Sequence, residues 1–411
     1  MKLVCQAKYN SDMTPKYNII CLSNQLWDTT SPTNKHHVMY RLAKLGHSVL
    51  YVDPPINMGR IFAKQIKAGF WDLRRFLTQT RKDSSSLLVY TPLNVVPFSF
   101  VTSSLHVLRL RGLAQKFFSE RSKTILWVYH VQIPRIDIYL KSLDYDMLVY
   151  DCVDNYEGMR GDDTFYSAVT KNVLFQEETL AKAANVIFAV TPMLVEKLGR
   201  LNSNIYWVPN AGDYELFKDA KKYKYNLPID IKDIPRPRIG YIGALDEYKF
   251  DSRLLRKCAL DYPQYSFVLI GPLAIKSKDA SLKDLGLLDL PNIFYLGPKP
   301  YAQKKHYLAG FDAEVIPFQL NDYTLFSYPV KFHDSLSAGI PIVATNLPAF
   351  SPYKDVSYIS KNYEEFSNNL KKALEEDSTQ KMKMRQEVAK KNSWDSKVER
   401  MLEHINQITR P

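Results

Sequence analysis

Short runs of β-branched and aromatic residues recur along the chain, separated by segments long enough to form helices. This alternation is typical of βαβ units, in which crossover helices join parallel strands. Two series of runs are present, and each predicts one mostly parallel sheet. The first comprises NIICLS (18–23), SVLYVD (48–53), LLVYTP (87–92), TILWVY (124–129), MLVYDC (147–152), NVIFAV (185–190) and IYWVP (205–209). The second comprises RIGYIG (238–243), SFVLIG (266–271), IFYLG (293–297), AEVIP (313–317), PIVAT (341–345) and VSYIS (356–360).

A charged segment punctuated by prolines, KDAKKYKYNLPIDIKDIPRPR, separates the two series and predicts an interdomain linker. A chain of 411 residues is long enough for two domains. We predict an N-terminal Rossmann-like domain over 1–214 and a C-terminal one over 215–391, with a central cleft between their sheets. Apolar residues at helical spacing predict a last helix within 392–411 that packs back onto the N-terminal domain.

The segment SYPVKFHDSLSAGIPIVAT, from Ser327 to Thr345, carries the most specific motif. A diphosphate needs a cation and unpaired backbone N–H groups, which a helix N-terminus supplies, and a carboxylate one turn further on can bind a diol. The segment resembles the donor-binding signature of GT-B glycosyltransferases, in which a Pro-x-Lys precedes a helix with an acidic residue and then Ala-Gly-x-Pro-x-Val. The resemblance implies that Lys331 faces the diphosphate of a nucleotide sugar and that Asp334 binds its ribose.

Two observations qualify this motif. Lys331 and Asp334 stand three residues apart, so they can also pair with each other on a solvated helix face. The acidic pair E-x7-E of retaining members would need an acid at Phe326, so that signature is incomplete.

Other segments, among them GYIGALDEYKFDSRLL and LPNIFYLGPKP, are similar to bacterial teichuronic-acid and exopolysaccharide glycosyltransferases. We therefore add four residues to the predicted donor site. Gly243 is expected to let the phosphates approach the backbone, and Lys249 to assist, unless it is a surface lysine. Phe318 is expected to flank the base or ribose, with core packing as the alternative, and Ser327 opens the motif itself.

The segment MLVYDCVDNYEG ends a predicted strand and places Asp154 where an α/β cleft carries its chemistry. An inverting transferase needs one carboxylate to take the proton of the attacking hydroxyl. The segment is similar to part of the xanthan-pathway glucuronosyltransferase, and this resemblance implies that Asp154 is the catalytic base. A helix cap or a turn is the alternative role for this aspartate. His36 and His130 are candidates for contact with the acceptor or a phosphate.

No metal and no cofactor are predicted. The Asp144-Tyr145-Asp146 triplet spells the D-x-D of metal-dependent transferases but precedes a strand instead of following one, so we expect a turn there. The chain contains neither G-x-G-x-x-G nor a Walker A sequence, which argues against dinucleotide oxidoreduction and ATP hydrolysis.

The net charge of +12 is concentrated between 56 and 123, where twelve Lys or Arg stand against three acidic residues. The run at 58–82 interleaves cations with aromatics, and VLRLRGLAQKFFSERSK repeats the pattern, which is typical of helices on an anionic bilayer. Trp71, Arg74 and Arg75 are the candidate contacts on this side. Inward packing of the aromatics and nucleic-acid binding are the alternatives; we expect the membrane and no nucleic acid.

The four cysteines are isolated in sequence, as in a reducing cytosol, and we expect neither a signal peptide nor a membrane span. The predicted function is transfer of a sugar from a nucleotide diphosphate to a lipid-linked or polysaccharide acceptor of the cell surface, at the cytoplasmic face of the membrane. The alternatives are an inactive sugar-nucleotide-binding or scaffold protein and a GT-B epimerase or phosphorylase.

Overall fold

The computed structural model describes residues 15–29, 32–57, 73–94, 99–133, 135–156, 173–275 and 281–409. The strands are β1 (Asn18–Leu22), β2 (Ser48–Val52), β3 (Ile56–Asn57), β4 (Thr80–Ser84), β5 (Leu87–Tyr90), β6 (Leu93–Asn94), β7 (Thr124–Val128), β8 (Met147–Cys152), β9 (Val186–Ala189), β10 (Ile205–Trp207), β11 (Arg238–Ile242), β12 (Leu245–Asp246), β13 (Ser266–Ile270), β14 (Leu273–Ala274), β15 (Ile293–Gly297), β16 (Ala313–Ile316), β17 (Ile342–Thr345) and β18 (Tyr358–Ser360).

The α-helices are α1 (Asn34–Lys44), α2 (Leu73–Thr78), α3 (Ser99–Phe117), α4 (Ile136–Ser142), α5 (Val173–Ala183), α6 (Pro192–Gly199), α7 (Tyr214–Phe217), α8 (Ile229–Lys232), α9 (Ser252–Asp261), α10 (Lys304–Gly310), α11 (Val330–Ser337), α12 (Tyr363–Glu375), α13 (Thr379–Lys391) and α14 (Trp394–Thr409). Short 3-10 helices span Ala220–Tyr225, Tyr301–Gln303, Thr324–Phe326 and Pro348–Tyr353. None of the described helices is both long enough and apolar enough to cross a bilayer.

Two open sheets organise the chain, as the two series of apolar runs predict. The first has the strand order β10-β9-β8-β7-β1-β2-β5-β4, and its pairs are parallel except for β4 with β5. The second has the order β15-β13-β11-β16-β17-β18 and is parallel throughout. Apart from β4, their strands are mostly apolar runs, because helices cover both faces of a parallel sheet.

The two halves are connected by two chain segments that lie side by side. The amide of Gly212 donates to the carbonyl of Asn392 at 3.2 Å, and the amide of Trp394 donates back to the carbonyl of Gly212 at 3.2 Å. Arg41 on α1 forms ion pairs with both segments, at 3.2 Å to Asp213 and at 3.1 Å to Asp395. The two connecting segments are therefore held together by backbone hydrogen bonds and held to α1 by ion pairs.

The last helix, α14, leaves the second half and packs on the first. Trp394 is fully buried and stacks on His37 of α1, with ring centroids 4.8 Å apart. The Lys397 ammonium donates to the carbonyl of Val208, just after β10, at 3.1 Å, and the Tyr17 hydroxyl donates to Asn406 at 2.6 Å. This helix supplies part of the core of the N-terminal half.

Candidate active site in the cleft

A carboxylate from the first half meets polar groups from the second half at the carboxyl ends of the strands. Asp154 follows β8, and its Oδ1 accepts a hydrogen bond from the Tyr323 hydroxyl at 3.4 Å. Lys249, which follows β12, contributes a positive charge to the surroundings of Asp154. Ligands of open α/β sheets bind at this edge, so the arrangement defines a candidate site between the halves.

Burial raises the pKa of Asp154 above its usual value. The charges of Lys35 and Lys249 and the hydrogen bond from Tyr323 oppose that rise. A carboxylate with a raised pKa is a better proton acceptor than an exposed one, provided that it is ionised at the working pH. The surroundings of Asp154 thus combine increased basicity with cations that keep it charged.

Lys35, on the first turn of α1, is a site residue that sequence reasoning missed. Its side chain is buried, and its ammonium lies 5.6 Å from the centre of the Tyr129 ring. Burial lowers the pKa of Lys35, whereas the carboxylates of Asp154 and Asp151 raise it. A cation that stays buried beside two carboxylates neutralises part of the charge beneath the cleft.

Lys331 lies at the start of α11 and points towards the second sheet. Its ammonium is 3.9 Å from the centre of the Tyr241 ring and 5.2 Å from that of Phe318. A Cβ atom on Gly243 would lie only 2.2 Å from this ammonium. Glycine at 243 therefore provides the space for the lysine, and the predicted donor residues Gly243, Phe318 and Lys331 form one cluster.

Glu314, in β16, is the carboxylate that most raises the pKa of Lys331. Sequence reasoning did not find it. It is fully buried and accepts a hydrogen bond from the Ser335 hydroxyl. Burial raises the pKa of Glu314 and lowers the pKa of Lys331, while each charge counteracts the shift of the other. An acidic residue inside the apolar run AEVIP was the available signal for this partner.

Asp334 does not form a solvated pair with Lys331. It is 1% exposed, and its Oδ2 lies 2.7 Å from the ammonium of Lys304. Its Oδ1 accepts the backbone N–H of Asp213 at 3.0 Å. The surface-pair alternative is wrong, because the carboxylate is used inside the protein.

The remaining predicted donor residues, Lys249 and Ser327, both contact Tyr323. The Lys249 ammonium lies 3.6 Å from Asp246 and between the rings of Tyr248, at 4.9 Å, and Tyr323, at 5.6 Å. Its side chain is 26% exposed, so it is not an ordinary surface lysine. The Ser327 hydroxyl donates to the carbonyl of Tyr323 at 3.0 Å, which fixes the turn that carries the tyrosine.

The two histidine candidates are buried, and His36 is hydrogen-bonded to the backbone. His36 accepts the backbone N–H of Thr33 at 3.1 Å, and its Nε2 lies 2.8 Å from the carbonyl of Leu26, so both ring nitrogens are used at the start of α1. His130 is 5% exposed, and burial lowers its pKa to about 3. A histidine in this state is neutral and cannot attract a phosphate by charge.

The membrane-side candidates are only partly described. Trp71 lies outside the described residues. Arg74 and Arg75 belong to α2, and their side chains lie outside the described part of the structure. Asp144 to Asp146 lie in the connection between α4 and β8, as expected from their place before a strand, and Asp146 accepts the backbone N–H of Thr124 at 2.7 Å. In the part of the chain that the structure describes, no group of three or more His, Cys, Asp or Glu is arranged to hold a metal ion.

Comparison with solved structures defines the class of fold. The sucrose-phosphate synthase of Thermosynechococcus elongatus matches with a TM-score of 0.68 at 13% identity, over 96% of this chain and 99% of that chain. A glycosyltransferase of Rickettsia africae matches with a TM-score of 0.64 at 13% identity, over 98% and 100%. Anabaena HepE in complex with UDP matches with a TM-score of 0.62 at 14% identity, over 95% and 100%. The chain therefore has the GT-B fold.

The sequence is also similar to that of a particular bacterial protein. It is 27% identical over 268 residues to the Bacillus subtilis protein described as "Putative teichuronic acid biosynthesis glycosyltransferase TuaH", across 62% of this chain and 66% of that protein, just under two thirds of its length. No protein-family model matches the chain. The predicted resemblance to GT-B glycosyltransferases is confirmed by these comparisons.

Proposed function

We propose that this chain is a glycosyltransferase that moves a sugar from a nucleoside diphosphate sugar to a lipid-linked or polysaccharide acceptor in the synthesis of a cell-surface glycan. One observation carries the proposal. A carboxylate with a raised pKa, Asp154, stands on one wall of the cleft, and the cations Lys249 and Lys331 stand on the other. A base opposite a cationic site is the arrangement that a direct displacement at a sugar phosphate requires.

In the proposed reaction, Asp154 takes the proton of the acceptor hydroxyl while that oxygen bonds to the anomeric carbon. The bond between the anomeric carbon and the diphosphate oxygen breaks, and the nucleoside diphosphate leaves with the electron pair. Lys331 and Lys249 stabilise the charge that develops on the leaving diphosphate. A single displacement of this kind inverts the anomeric configuration.

The donor is proposed to lie along the carboxyl edge of the second sheet. The diphosphate is expected to lie beside the Lys331 ammonium, for which Gly243 leaves the space. Phe318 flanks the nucleoside, and Asp334 binds the ribose by sharing its Oδ2 with Lys304. UDP sugars are the first donors to test, because HepE, which shares the fold, is described in complex with UDP and with UDP-glucose. No metal is proposed to take part. The acceptor half is proposed to work against the inner face of the cell membrane.

The deciding experiment measures nucleoside diphosphate release from UDP-, GDP- and dTDP-sugars with a membrane lipid extract. Asp154→Asn is expected to lower turnover by about 100-fold or more while UDP binding is retained. Lys331→Ala is expected to weaken UDP binding itself. The matched controls are Asp233→Asn and Lys222→Ala, whose side chains are 83% and 76% exposed.

The other outcomes separate the alternatives. Donor binding without turnover on any acceptor favours the sugar-nucleotide-binding protein. Release of a free sugar, a sugar phosphate or an epimerised donor favours the epimerase or phosphorylase. If no nucleotide binds, the proposed cleft is wrong.

A further inference from the structure

Helix α3 carries an exposed stripe of apolar residues, although its buried face holds polar residues as well as the apolar Val107 and Leu110. Its outward face carries Phe100, Val101, Leu105 and Leu108, which are 58%, 43%, 50% and 68% exposed. Scattered exposed apolar residues are normal, whereas a contiguous exposed stripe marks a contact with something else. On an α-helix these four positions fall within an arc of about 140°, so they form one stripe.

The polar residues on the inward face of α3 are buried, and His106 among them is hydrogen-bonded, so the orientation of the helix is fixed by the protein. Thr102, Ser103 and His106 are 6%, 3% and 7% exposed. The His106 ring bonds to the Tyr139 hydroxyl at 2.9 Å and to the carbonyl of Leu93 at 3.3 Å. The polar groups are thus satisfied inside the protein, and turning the apolar stripe inwards would break these bonds and leave the polar groups unpaired.

Cations outnumber carboxylates around the stripe. The helix sequence, SFVTSSLHVLRLRGLAQKF, contains no acidic residue. Arg109, Arg111 and Lys116 are exposed on α3, and the guanidinium of Arg135 lies 5.4 Å from the centre of the Phe100 ring. Asp144 pairs with Arg111 at 3.2 Å and Asp137 pairs with Arg135 at 2.8 Å, which leaves Arg109 and Lys116 as the cations of the helix itself. An apolar stripe bordered by cations complements the headgroups and acyl chains of an anionic bilayer.

We infer that the outward face of α3, formed by Phe100, Val101, Leu105 and Leu108 with Arg109 and Lys116, is a docking surface for an anionic lipid bilayer. The helix lies parallel to the membrane plane, with its apolar stripe below the headgroups and its cations at their level. The function of this surface rests on the proposed reaction, because docking would bring the active site to a lipid-linked acceptor. Its test does not, because vesicle binding is measured without any sugar transfer.

The test compares binding of the full chain to vesicles of phosphatidylcholine alone and of phosphatidylcholine mixed with phosphatidylglycerol. The double variant Leu105→Gln/Leu108→Gln is expected to lower binding to the anionic vesicles tenfold or more. Arg109→Gln and Lys116→Gln are each expected to lower it about fivefold at low salt, because each basic residue near an anionic surface contributes about 1 kcal/mol. Glutamine is a good helix former, so α3 is retained.

The matched control is Leu260→Gln/Leu288→Gln, which changes two leucines that are 57% and 64% exposed on the second half. This control is expected to bind vesicles like the wild type. Equal binding by both double variants overturns the docking surface. The stripe could instead join two copies of the chain. In that case the wild type is a dimer in solution and the α3 double variant is a monomer, and this result also overturns the bilayer as the occupant.

The experiment is independent of the proposed reaction. Release of nucleoside diphosphate to a water-soluble acceptor analogue is expected to be unchanged in Leu105→Gln/Leu108→Gln, since these residues lie outside the cleft. Loss of vesicle binding with retained turnover supports both proposals together. Vesicle binding without turnover in the wild type supports the docking surface alone.

Discussion

The hydroxyl of Tyr323 lies 3.4 Å from Oδ1 of Asp154, and the two residues belong to opposite halves of the protein. The negative charge of Asp154, followed by burial, raises the pKa of the tyrosine, so its phenol keeps the proton and acts as the donor. An acceptor hydroxyl has to displace this phenol or approach the other oxygen of the carboxylate. The position of the second half therefore determines whether Oδ1 of Asp154, the proposed base, is occupied by the Tyr323 hydroxyl or free to accept a proton.

Tyr323→Phe is expected to move the acidic limb of the pH profile of kcat/KM upwards by up to about one pH unit. The phenol stabilises the ionised form of Asp154 and so lowers its pKa; without it, the carboxylate binds its proton up to a higher pH. The measurement is nucleoside diphosphate release as a function of pH. Tyr225→Phe, at a side chain that is 88% exposed, is the control, and an unchanged limb in Tyr323→Phe contradicts the assignment.

Lys35→Gln is expected to shift the same limb in the same direction. Lys35 is the cation that most lowers the pKa of Asp154 against the effect of burial, so its removal leaves Asp154 protonated at higher pH and activity falls earlier on acidification. Lys44→Gln, at an exposed position on the same helix, serves as the control. The position of the limb does not depend on how much protein is folded, and a downward shift rules out the proposed electrostatic role.

Glu314→Gln is expected to weaken UDP binding at and above neutral pH. Burial lowers the pKa of Lys331, and the charge of Glu314 opposes this lowering. In the variant, the ammonium loses its proton at a lower pH, so its attraction for the diphosphate disappears sooner as the pH rises. Calorimetric titration with UDP at several pH values measures the effect, with the exposed Glu364→Gln as the control. The same pH dependence in variant and wild type argues against a coupled pair.

Lys304→Met is expected to lower the free energy of unfolding by about 3 kcal/mol, because it leaves the buried Asp334 without its cation. Both side chains of this pair are nearly inaccessible, at 10% and 1% exposure. Lys371→Met breaks an exposed pair with Glu375 and is expected to cost less than about 1 kcal/mol. Chemical denaturation measures both variants. Adding Asp334→Asn to Lys304→Met is expected to recover part of the loss, and a cost no larger than that of Lys371→Met contradicts the pair's importance.

Most of the fold was predictable because parallel strands are buried on both faces and appear as apolar runs. All thirteen predicted strands are present, with limits that differ by at most two residues. The edge strand β4, with the sequence TRKDS, was missed because it is charged and exposed on the outside of the sheet. Such charges prevent edge-to-edge association, and they also remove the pattern that identifies a strand.

The site was predictable to the extent that its residues belong to sequence motifs. Lys331 and Gly243 could be placed together from their positions at strand and helix ends. Lys35 and Tyr323 could not, because their relation to Asp154 depends on how the two halves face each other. The partner of Asp334 was also beyond sequence reasoning, since Lys304 lies on a different helix and carries no pattern of its own.

The return of α14 to the first half has a consequence for biosynthesis. Trp394 and Lys397 of this helix lie in the core of the first half, which therefore contains contacts between segments almost 400 residues apart, such as Tyr17 with Asn406. Domains generally fold as units during translation, beginning at the N-terminus. Here, the surface that α14 covers stays open on the nascent chain until the last helix leaves the ribosome. The half that is translated first can therefore finish folding only after the second half has been translated.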